Sequence, residues 1–334
     1  MAVRVLINGF GRIGRSVLRA WAQGRARGTG WPAVEIVAVN DVVEPETCAH
    51  LFEYDSVFGP WPGRVALVPG GLEVDGAHLR LSRADDLSAL DLADIDVVME
   101  CTGRADTPAV AARGLVAGAG RVLISGPSEA AGFTVVLGAN EGGLRRAQRI
   151  VSNASCTTNA LAPLARVLDE AFGIVTGHMT TVHCYTASQP TVDTPRGDLA
   201  RSRAAALSMV PTTTSAQHLL GRVLPHLDGR IEGAAVRVPT ASVSLVDLCV
   251  LPERPADAAA VNACLRAAGG VIGCTGRPLV SSDLRARPES VVMALPETRV
   301  TRGGLIRVLG WYDNEWGFSC RMLDVAGLWA GLSA

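Results

Sequence analysis

The sequence predicts an α/β fold of two domains, the first built on a doubly wound parallel sheet. The chain has 334 residues, which exceeds what one hydrophobic core ordinarily organises. An apolar run of strand length, residues 3–8, passes through glycines directly into an amphipathic helical pattern. Further apolar runs at 34–41, 94–103 and 121–128 end in small or polar residues. Between the last two, residues 105–120 have a helical composition, which completes the order typical of a parallel sheet.

Composition restricts the class of protein. Hydrophobic residues make up 48% and charged residues 19% of the chain, which is typical of a well-buried globule. The formal net charge of -1 provides no field that would attract nucleic acid or an anionic membrane. The N-terminal residues lack a basic region followed by a long apolar run, so no signal peptide is expected, and no apolar run of about 20 residues is available to span a bilayer. None of the 8 cysteines has C-x-x-C spacing, so no metal site is expected and a reducing cytoplasm is the simplest compartment.

The glycine-rich loop after the first strand has G-x-G-x-x-G spacing in the context of strand before and helix after. Gly9 permits the tight turn, Gly11 lets a pyrophosphate approach the backbone, and Gly14 allows close helix–strand packing. Arg12 and Ile13 open the following helix, whose positive end attracts phosphates. The loop therefore predicts a dinucleotide site.

The second strand ends at Asp41, where a carboxylate hydrogen-bonds the adenosine ribose and repels a 2′-phosphate. This position favours NAD over NADP; a solvated turn aspartate is the alternative. Ser125 follows a later strand at the edge where such sheets bind their ligands. We therefore predict that residues 1–155 form a Rossmann-type, NAD-binding domain.

A cysteine stands among short polar residues in "SNASCTTN", residues 152–159. A helical pattern follows, so Cys156 is expected at a helix start, where the dipole lowers a thiol pKa. Ser155, Thr157 and Asn159 offer hydrogen-bond donors. The alternative is a small residue in a tight turn.

A base for this thiol is available in "TTVHCY", where His183 lies within a β-branched strand. Isolated strand histidines are usually core residues. A cysteine at a cofactor crevice changes that interpretation, and the two form a candidate nucleophile and base.

Several motifs occur together and in order along residues 3 to about 325. With them the chain resembles the phosphorylating glyceraldehyde-3-phosphate dehydrogenases, and erythrose-4-phosphate dehydrogenase is the close relative of that family. The motifs are "INGFGRIGR", "SNASCTTN", "TTVHCYTASQPTVD", "RAAA…VPTTT", "VRVPT" and "WYDNEWG".

The resemblance implies a mechanism. Cys156 would attack the aldehyde, and His183 would accept the hydroxyl proton as hydride leaves for NAD. Inorganic phosphate would then release the thioester as 1,3-bisphosphoglycerate, in a reversible step that serves glycolysis or gluconeogenesis.

The resemblance also implies binding residues. Arg237 and Thr186 would hold the substrate's own phosphate, and Asn314 the nicotinamide carboxamide. The chain contains no lysine, so arginines would carry most of the phosphate charge, although Arg203 and Arg237 could instead be surface ion-pair partners. The site for the attacking phosphate would consist of Ser155, Thr157, Arg203, Thr214 and Ser215.

By the same resemblance, residues 156–319 would form an α+β catalytic and phosphate-binding domain on a mixed or antiparallel sheet. A C-terminal helix within 320–334 would return to the first domain. The long loop 184–205 would pack against a neighbouring subunit, which implies a homotetramer.

Three positions depart from the family pattern. Ser215 stands where glycine is usual, Phe318 replaces a tyrosine, and Cys184 places a second thiol beside His183. Two alternatives to the phosphorylating enzyme stay open at this point. They are a non-phosphorylating erythrose-4-phosphate dehydrogenase and a non-enzymatic scaffold that binds NAD, RNA or protein.

Overall fold

The computed structural model describes residues 2–332, which divide into two compact units. The first unit comprises the chain up to Val135, Glu141–Ala154 and the chain from Ser319 onward. The second comprises Val136–Asn140 and Ser155–Phe318. Within the described residues, no helix has the length and apolar character needed to cross a membrane.

The first unit is built on a nine-stranded sheet in the order β10-β11-β9-β8-β1-β2-β7-β6-β5, with a separate two-stranded ribbon of β3 and β4. All neighbours from β10 to β7 pair in parallel, and β7, β6 and β5 form antiparallel hairpins at one edge. The strands are β1 (Val3–Asn8), β2 (Val34–Asn40), β3 (Tyr54–Asp55), β4 (Gly59–Pro60), β5 (Val65–Val68), β6 (Gly71–Val74), β7 (Ala77–Ser82), β8 (Val97–Glu100), β9 (Arg121–Ile124), β10 (Phe133–Thr134) and β11 (Ile150–Ser152).

The central strands are buried on both faces. On β1, Leu6 is 1% and Ile7 0% exposed, and on β8 both Val98 and Met99 are 0% exposed; adjacent residues of a strand point to opposite faces. Because a parallel sheet is covered on both sides, such strands consist of continuous apolar runs, which is the pattern that the sequence contains.

The helices of this unit are α1 (Arg12–Arg27), α2 (Pro45–Glu53), α3 (Pro108–Ala111) and α4 (Arg113–Val116). Helix α1 ends at Gly28, which has φ +64°. The segment 105–120, whose composition is helical, forms two short helices, because α3 and α4 are separated at Ala112. Glycines weaken this segment, and Gly118 has φ +104°, which a right-handed helix cannot contain.

The second unit contains an eight-stranded sheet in the order β13-β14-β12-β15-β19-β17-β16, with β18 paired to β19. Strand β12 pairs in parallel with β14 and antiparallel with β15, so the sheet is mixed, as predicted. Its strands are β12 (Ile174–Cys184), β13 (Val210–Thr212), β14 (Ile231–Val238), β15 (Ser244–Pro252), β16 (Ile272–Thr275), β17 (Val291–Ala294), β18 (Arg299–Val300) and β19 (Ile306–Tyr312). The helices that follow α4 are α5 (Cys156–Phe172), α6 (Ala216–Val223), α7 (Ala258–Ala268) and α8 (Trp316–Gly331).

Helix α8 begins before the residues predicted for it, at Trp316, and its part from Ser319 onward belongs to the first unit. There the indole N–H of Trp31 donates to Asp324, and Arg121 Nη1 donates to the Trp329 carbonyl at 2.9 Å. Residues 333–334 of the predicted helix lie outside the described part. The predicted fold class, a doubly wound parallel sheet plus a unit with a mixed sheet, is confirmed.

Candidate active site

Helix α5 begins at Cys156, so the predicted position of this thiol at a helix start is confirmed. The side chain of Ser155 caps the helix, since its Oγ accepts the Thr158 N–H at 3.0 Å. Just before the cap, Ala154 has φ +56°, a left-handed conformation that turns the chain sharply out of β11. The short polar residues around the cysteine therefore build a turn and a cap that fix the sulfur.

His183 faces this sulfur from strand β12. Its Nε2 lies 3.5 Å from Cys156 Sγ, and its Nδ1 lies 2.7 Å from the Cys184 carbonyl oxygen. A tautomer with the proton on Nδ1, donated to this carbonyl, leaves the Nε2 lone pair toward the thiol. The ring packs edge-on against Tyr312, with 5.9 Å between centroids, and His183 is 6% exposed.

Arg237 is brought to His183 by the register of two parallel strands, because the two residues are Cα partners on β14 and β12. Arg237 Nη1 lies 2.6 Å from His183 Nδ1 and donates to the Cys184 carbonyl at 3.0 Å. A permanent cation is thereby held against the imidazole, on the side away from the thiol.

The surroundings set the protonation of this pair. Burial, together with the charge of Arg237, lowers the pKa of His183 to about 4. Burial raises the pKa of the Cys156 thiol, against the opposing charge of Arg237 and hydrogen bonds from Thr157. The prediction that the helix start lowers this thiol's pKa is therefore wrong, since desolvation outweighs those effects. With its pKa at about 4, the imidazole beside the thiol is neutral at neutral pH.

Tyr312 positions a residue that hydrogen-bonds the thiol. Its hydroxyl lies between the Oγ1 atoms of Thr157 and Thr181, at 2.9 and 2.7 Å, and the residue is 2% exposed. This arrangement holds Thr157, which hydrogen-bonds the sulfur from both its side chain and its backbone N–H. Sequence reasoning did not single out Tyr312, although it lies inside the quoted motif "WYDNEWG".

A cavity of about 560 Å³ opens above the thiol and carries three arginines, Arg196, Arg201 and Arg237, with one carboxylate, Asp198. The lining therefore has an excess of positive charge, as an anionic ligand requires. Of the predicted site residues, the structure brings these together around it: Ser155, Cys156, Thr157, His183, Thr214, Ser215 and Arg237.

Two of the residues that were predicted to bind phosphate do not line this cavity. Arg203 pairs with Asp193 at 2.8 Å, and its side chain is 64% exposed. Thr186 directs its hydroxyl to the Ser188 hydroxyl at 2.8 Å. Arg201, two residues before Arg203, lines the cavity instead. Sequence reasoning missed Arg201 because nothing local distinguishes one arginine of "RSR" from the other.

The glycine loop of the first unit has a shape that lets a ligand approach its backbone closely. A Cβ on Gly9, whose φ is +92°, would meet Thr102 N at 2.7 Å, and one on Gly14 would meet the Gly9 carbonyl oxygen at 2.1 Å. Gly11, at the start of α1, has nothing within 4 Å of its Cβ position. The first and third glycines are thus required for packing, whereas the second leaves open space where a ligand can reach the backbone.

Asp41 is fixed directly beside this loop. Its carboxylate accepts the N–H groups of Phe10 at 2.5 Å and Val43 at 3.0 Å. Asp41 lines a cavity of about 220 Å³ together with Gly9 and Gly11.

Three further residues predicted to contact the cofactor lie at the carboxyl edge of the same sheet. Arg12 and Ile13 form the first turn of α1, and the Arg12 guanidinium pairs with Asp55. Ser125 directly follows β9 and donates its N–H to the Glu100 carbonyl at 2.9 Å. The Arg12 side chain is thus engaged by the protein itself, while its backbone belongs to the helix start that faces the glycine loop.

The chain matches two family models, the glyceraldehyde 3-phosphate dehydrogenase NAD binding domain over residues 3–108 and the C-terminal domain over residues 155–314. It belongs to the glyceraldehyde 3-phosphate dehydrogenase family. Relatives named glyceraldehyde-3-phosphate dehydrogenase are 47% identical in Cereibacter sphaeroides, 46% in Xanthobacter flavus and 44% in Geobacillus stearothermophilus. Each alignment covers 98% of both chains.

NAD is the cofactor of this glyceraldehyde 3-phosphate dehydrogenase family chain, since the matching N-terminal family model is an NAD binding domain. The residues present fit the group. Open space over Gly11, the adjacent start of α1 and the fixed carboxylate of Asp41 correspond to sites for a pyrophosphate and a ribose.

The departure at Ser215 is accommodated in this family member. Ser215 has φ -77° and ψ -6°, an ordinary right-handed conformation at the start of α6. A glycine is therefore not required there, and Ser215 lines the cavity.

Cys184, another position that departs from the family pattern, has a structural role. This thiol is 0% exposed, donates to Asn314 Oδ1 at 3.1 Å, and burial raises its pKa to about 12. Asn314 is itself 6% exposed and Phe318 5% exposed, so both lie inside the fold. Cys184 is thus a buried hydrogen-bond donor, and its high pKa makes it a poor nucleophile beside Cys156.

Proposed function

We propose that the chain catalyses the NAD-dependent, phosphorylating oxidation of glyceraldehyde 3-phosphate to 1,3-bisphosphoglycerate, in a reversible reaction. The observation that carries this proposal is the 3.5 Å approach of His183 Nε2 to Cys156 Sγ at the base of an arginine-lined cavity. A thiol with an adjacent neutral base is the arrangement that covalent acyl transfer uses, and arginines suit phosphate-bearing substrates.

In the addition step, Sγ of Cys156 forms a bond to the aldehyde carbon. His183 takes the thiol proton on Nε2 and returns it to the carbonyl oxygen, which gives a thiohemiacetal. The low pKa of His183, about 4, keeps this nitrogen unprotonated and ready to accept at neutral pH.

The start of α5 stabilises the oxygen as charge develops on it. The first N–H groups of a helix have no partner within the helix. In α5, the Ser155 side chain accepts a hydrogen bond from the N–H group of Thr158. The N–H groups of Cys156 and Thr157 face the sulfur. An oxygen on the carbon bound to that sulfur comes within their reach, which is the geometry of an oxyanion site.

Oxidation and release follow at the same carbon. NAD, when bound, supplies the hydride acceptor. His183 removes the hydroxyl proton as the thioester forms. A phosphate oxygen then attacks the thioester carbon, the bond to Sγ breaks, and the sulfur recovers its proton from His183.

Arg237 links substrate binding to the base. We assign it to the substrate's phosphate, and it also lies 2.6 Å from His183 Nδ1, where its charge lowers the pKa of that imidazole. A bound phosphate offsets this charge, so the pKa of His183 rises once substrate is present. The base thereby becomes stronger when there is an aldehyde to act on.

The long loop after β12 supports a homo-oligomer, which we propose to be a tetramer. Four large apolar side chains on it stand in solvent, with exposures of 68% for Val192, 88% for Leu199, 84% for Leu207 and 75% for Met209. Exposed apolar side chains concentrated on one segment mark a protein contact surface. We place the enzyme in the cytoplasm, because its eight cysteines are free thiols, which is typical of a reducing compartment.

The test is NAD reduction measured with glyceraldehyde 3-phosphate and with erythrose 4-phosphate, each with and without inorganic phosphate. We expect the glyceraldehyde substrate to be preferred, saturable dependence on phosphate, and an acyl phosphate that hydroxylamine traps. Phosphate-independent turnover to a free carboxylic acid, fastest on erythrose 4-phosphate, would contradict the proposal.

A further inference from the structure

The loop after β12 carries three arginines that differ in their charge partners. Arg203 pairs with Asp193 at 2.8 Å, and Arg201 lies 3.6 Å from Asp198. The side chain of Arg196 has no carboxylate within ion-pair distance among residues 2–332. Arg196 is thus the arginine of this loop whose charge is not offset by a neighbour.

The turn that carries Arg196 is held in place from within the loop. Ser202 Oγ accepts the Arg196 N–H at 3.0 Å and lies 2.8 Å from the Asp198 carbonyl, to which it donates. This clamp puts Arg196 and Arg201 on the wall of the same cavity. Arg201 is anchored there by donating to Thr212 at 2.6 Å and Thr213 at 2.9 Å.

The balance of charge in the cavity, taken together with the proposed function, indicates which ligand Arg196 binds. The reaction brings two anions together, the substrate's phosphate and the attacking phosphate. With Arg201 offset by Asp198, the cavity has two uncompensated guanidiniums, those of Arg196 and Arg237. Arg237 lies against Nδ1 of His183, on the side of the ring away from the thiol, whereas Arg196 shares its wall with Arg201 and the threonines after β13.

A second observation indicates a polar ligand on this wall. The side-chain nitrogen and oxygen of Gln189 are buried and have no hydrogen-bond partner among the described residues, and Gln189 lines the same cavity. Buried amides are ordinarily hydrogen-bonded, so this one is placed to meet a ligand atom or a water.

We infer that Arg196 binds the attacking inorganic phosphate and sets the enzyme's affinity for it. It acts as a specificity-determining residue for this second anion, in addition to Arg201. The substrate's own phosphate is left to Arg237.

The experiment uses the full-length enzyme with Arg196→Gln and Arg196→Lys, and Arg302→Gln as the matched control. Arg302 is an exposed arginine that does not line the cavity. We expect Arg196→Gln to raise KM for phosphate, and equally for arsenate, by about tenfold, the loss typical of one charge-assisted hydrogen bond. Arg196→Lys should recover part of this loss, and Arg302→Gln should have no effect.

A second readout separates the two anions. Without phosphate, the first turnover still forms NADH and the thioester, and we expect the rate and aldehyde dependence of this burst to be unchanged in Arg196→Gln. An unchanged KM for phosphate, or a burst that needs more aldehyde, would overturn the assignment. A wild-type enzyme that does not require phosphate would instead contradict the proposed function itself.

Discussion

The glycine loop of the first unit and the cavity of the second recognise their ligands with different parts of the polypeptide. The loop depends on positions that have no side chain. A Cβ on Gly14 would lie 2.1 Å from the Gly9 carbonyl oxygen, and Gly11 leaves free space for a ligand. The cavity uses converging side chains, with Cys156, His183 and Arg237 contributed by one helix and two strands.

This difference determines how each site tolerates change. The shape of the loop comes from the backbone, and we propose that its selectivity between cofactors depends on one carboxylate, that of Asp41. Reactivity in the cavity depends on a few side chains that change one another's protonation, because Arg237 acts on both His183 and Cys156. We therefore expect single substitutions to abolish chemistry in the second unit and to shift selectivity in the first.

The largest effect is expected for Cys156→Ser. A hydroxyl is a far weaker nucleophile than a thiol, so kcat for aldehyde oxidation should fall by at least about 10⁴-fold, whereas NAD affinity stays within about twofold. Steady-state NADH formation and calorimetric NAD titration measure the two quantities. Cys264→Ser is the control, since Cys264 is a partly buried thiol that does not line the cavity. Labelling of Cys184 by iodoacetamide with full activity retained would refute this assignment.

Asp41 tests the first unit. Its carboxylate should exclude a 2′-phosphate, so kcat/KM for NAD should exceed that for NADP by at least about 100-fold, or about 2.7 kcal/mol. Asp41→Ala should reduce this preference by at least about tenfold without changing the pH profile of the reaction. Equal use of both cofactors by the wild-type enzyme would mean that this carboxylate does not face the ribose.

The two sites also differ in how far the sequence predicts them. The glycine loop is a local pattern of strand, glycines and helix, and the structure has these elements at the predicted residues. The thiol at a helix start was likewise predictable from its capping residues. The contact of Arg237 with His183 depends on strand register across 54 positions, and no local pattern contains it. The direction of the pKa shift of Cys156 was predicted wrongly for the same reason, because burial is a property of the assembled fold.

Arg237→Gln measures the coupling inside the second unit. Removing this charge takes away one of the two effects that lower the pKa of His183, so that pKa should rise from about 4 toward its ordinary value. A base works above its pKa, so the acid limb of kcat/KM should move to higher pH. D-Glyceraldehyde, which has no phosphate, is the substrate to use, since it does not depend on Arg237 for binding.

Arg237→Lys retains a cation and serves as the control. It should leave the acid limb near its wild-type position. An identical limb in the glutamine variant would show that burial alone depresses the pKa of His183.

The smallest effect is expected at Ser215, where the family usually has glycine. Its φ of -77° requires no glycine, and its side chain makes no capping hydrogen bond to α6. Ser215→Gly should therefore change KM for phosphate by less than about twofold and lower stability by only a few tenths of a kcal/mol, as measured by steady-state kinetics and thermal unfolding. A KM for phosphate at least about fivefold lower in the glycine variant would mean that the serine side chain obstructs the anion. The cavity would then depend on backbone shape as the glycine loop does, and the contrast between the two units would be smaller than their geometry indicates.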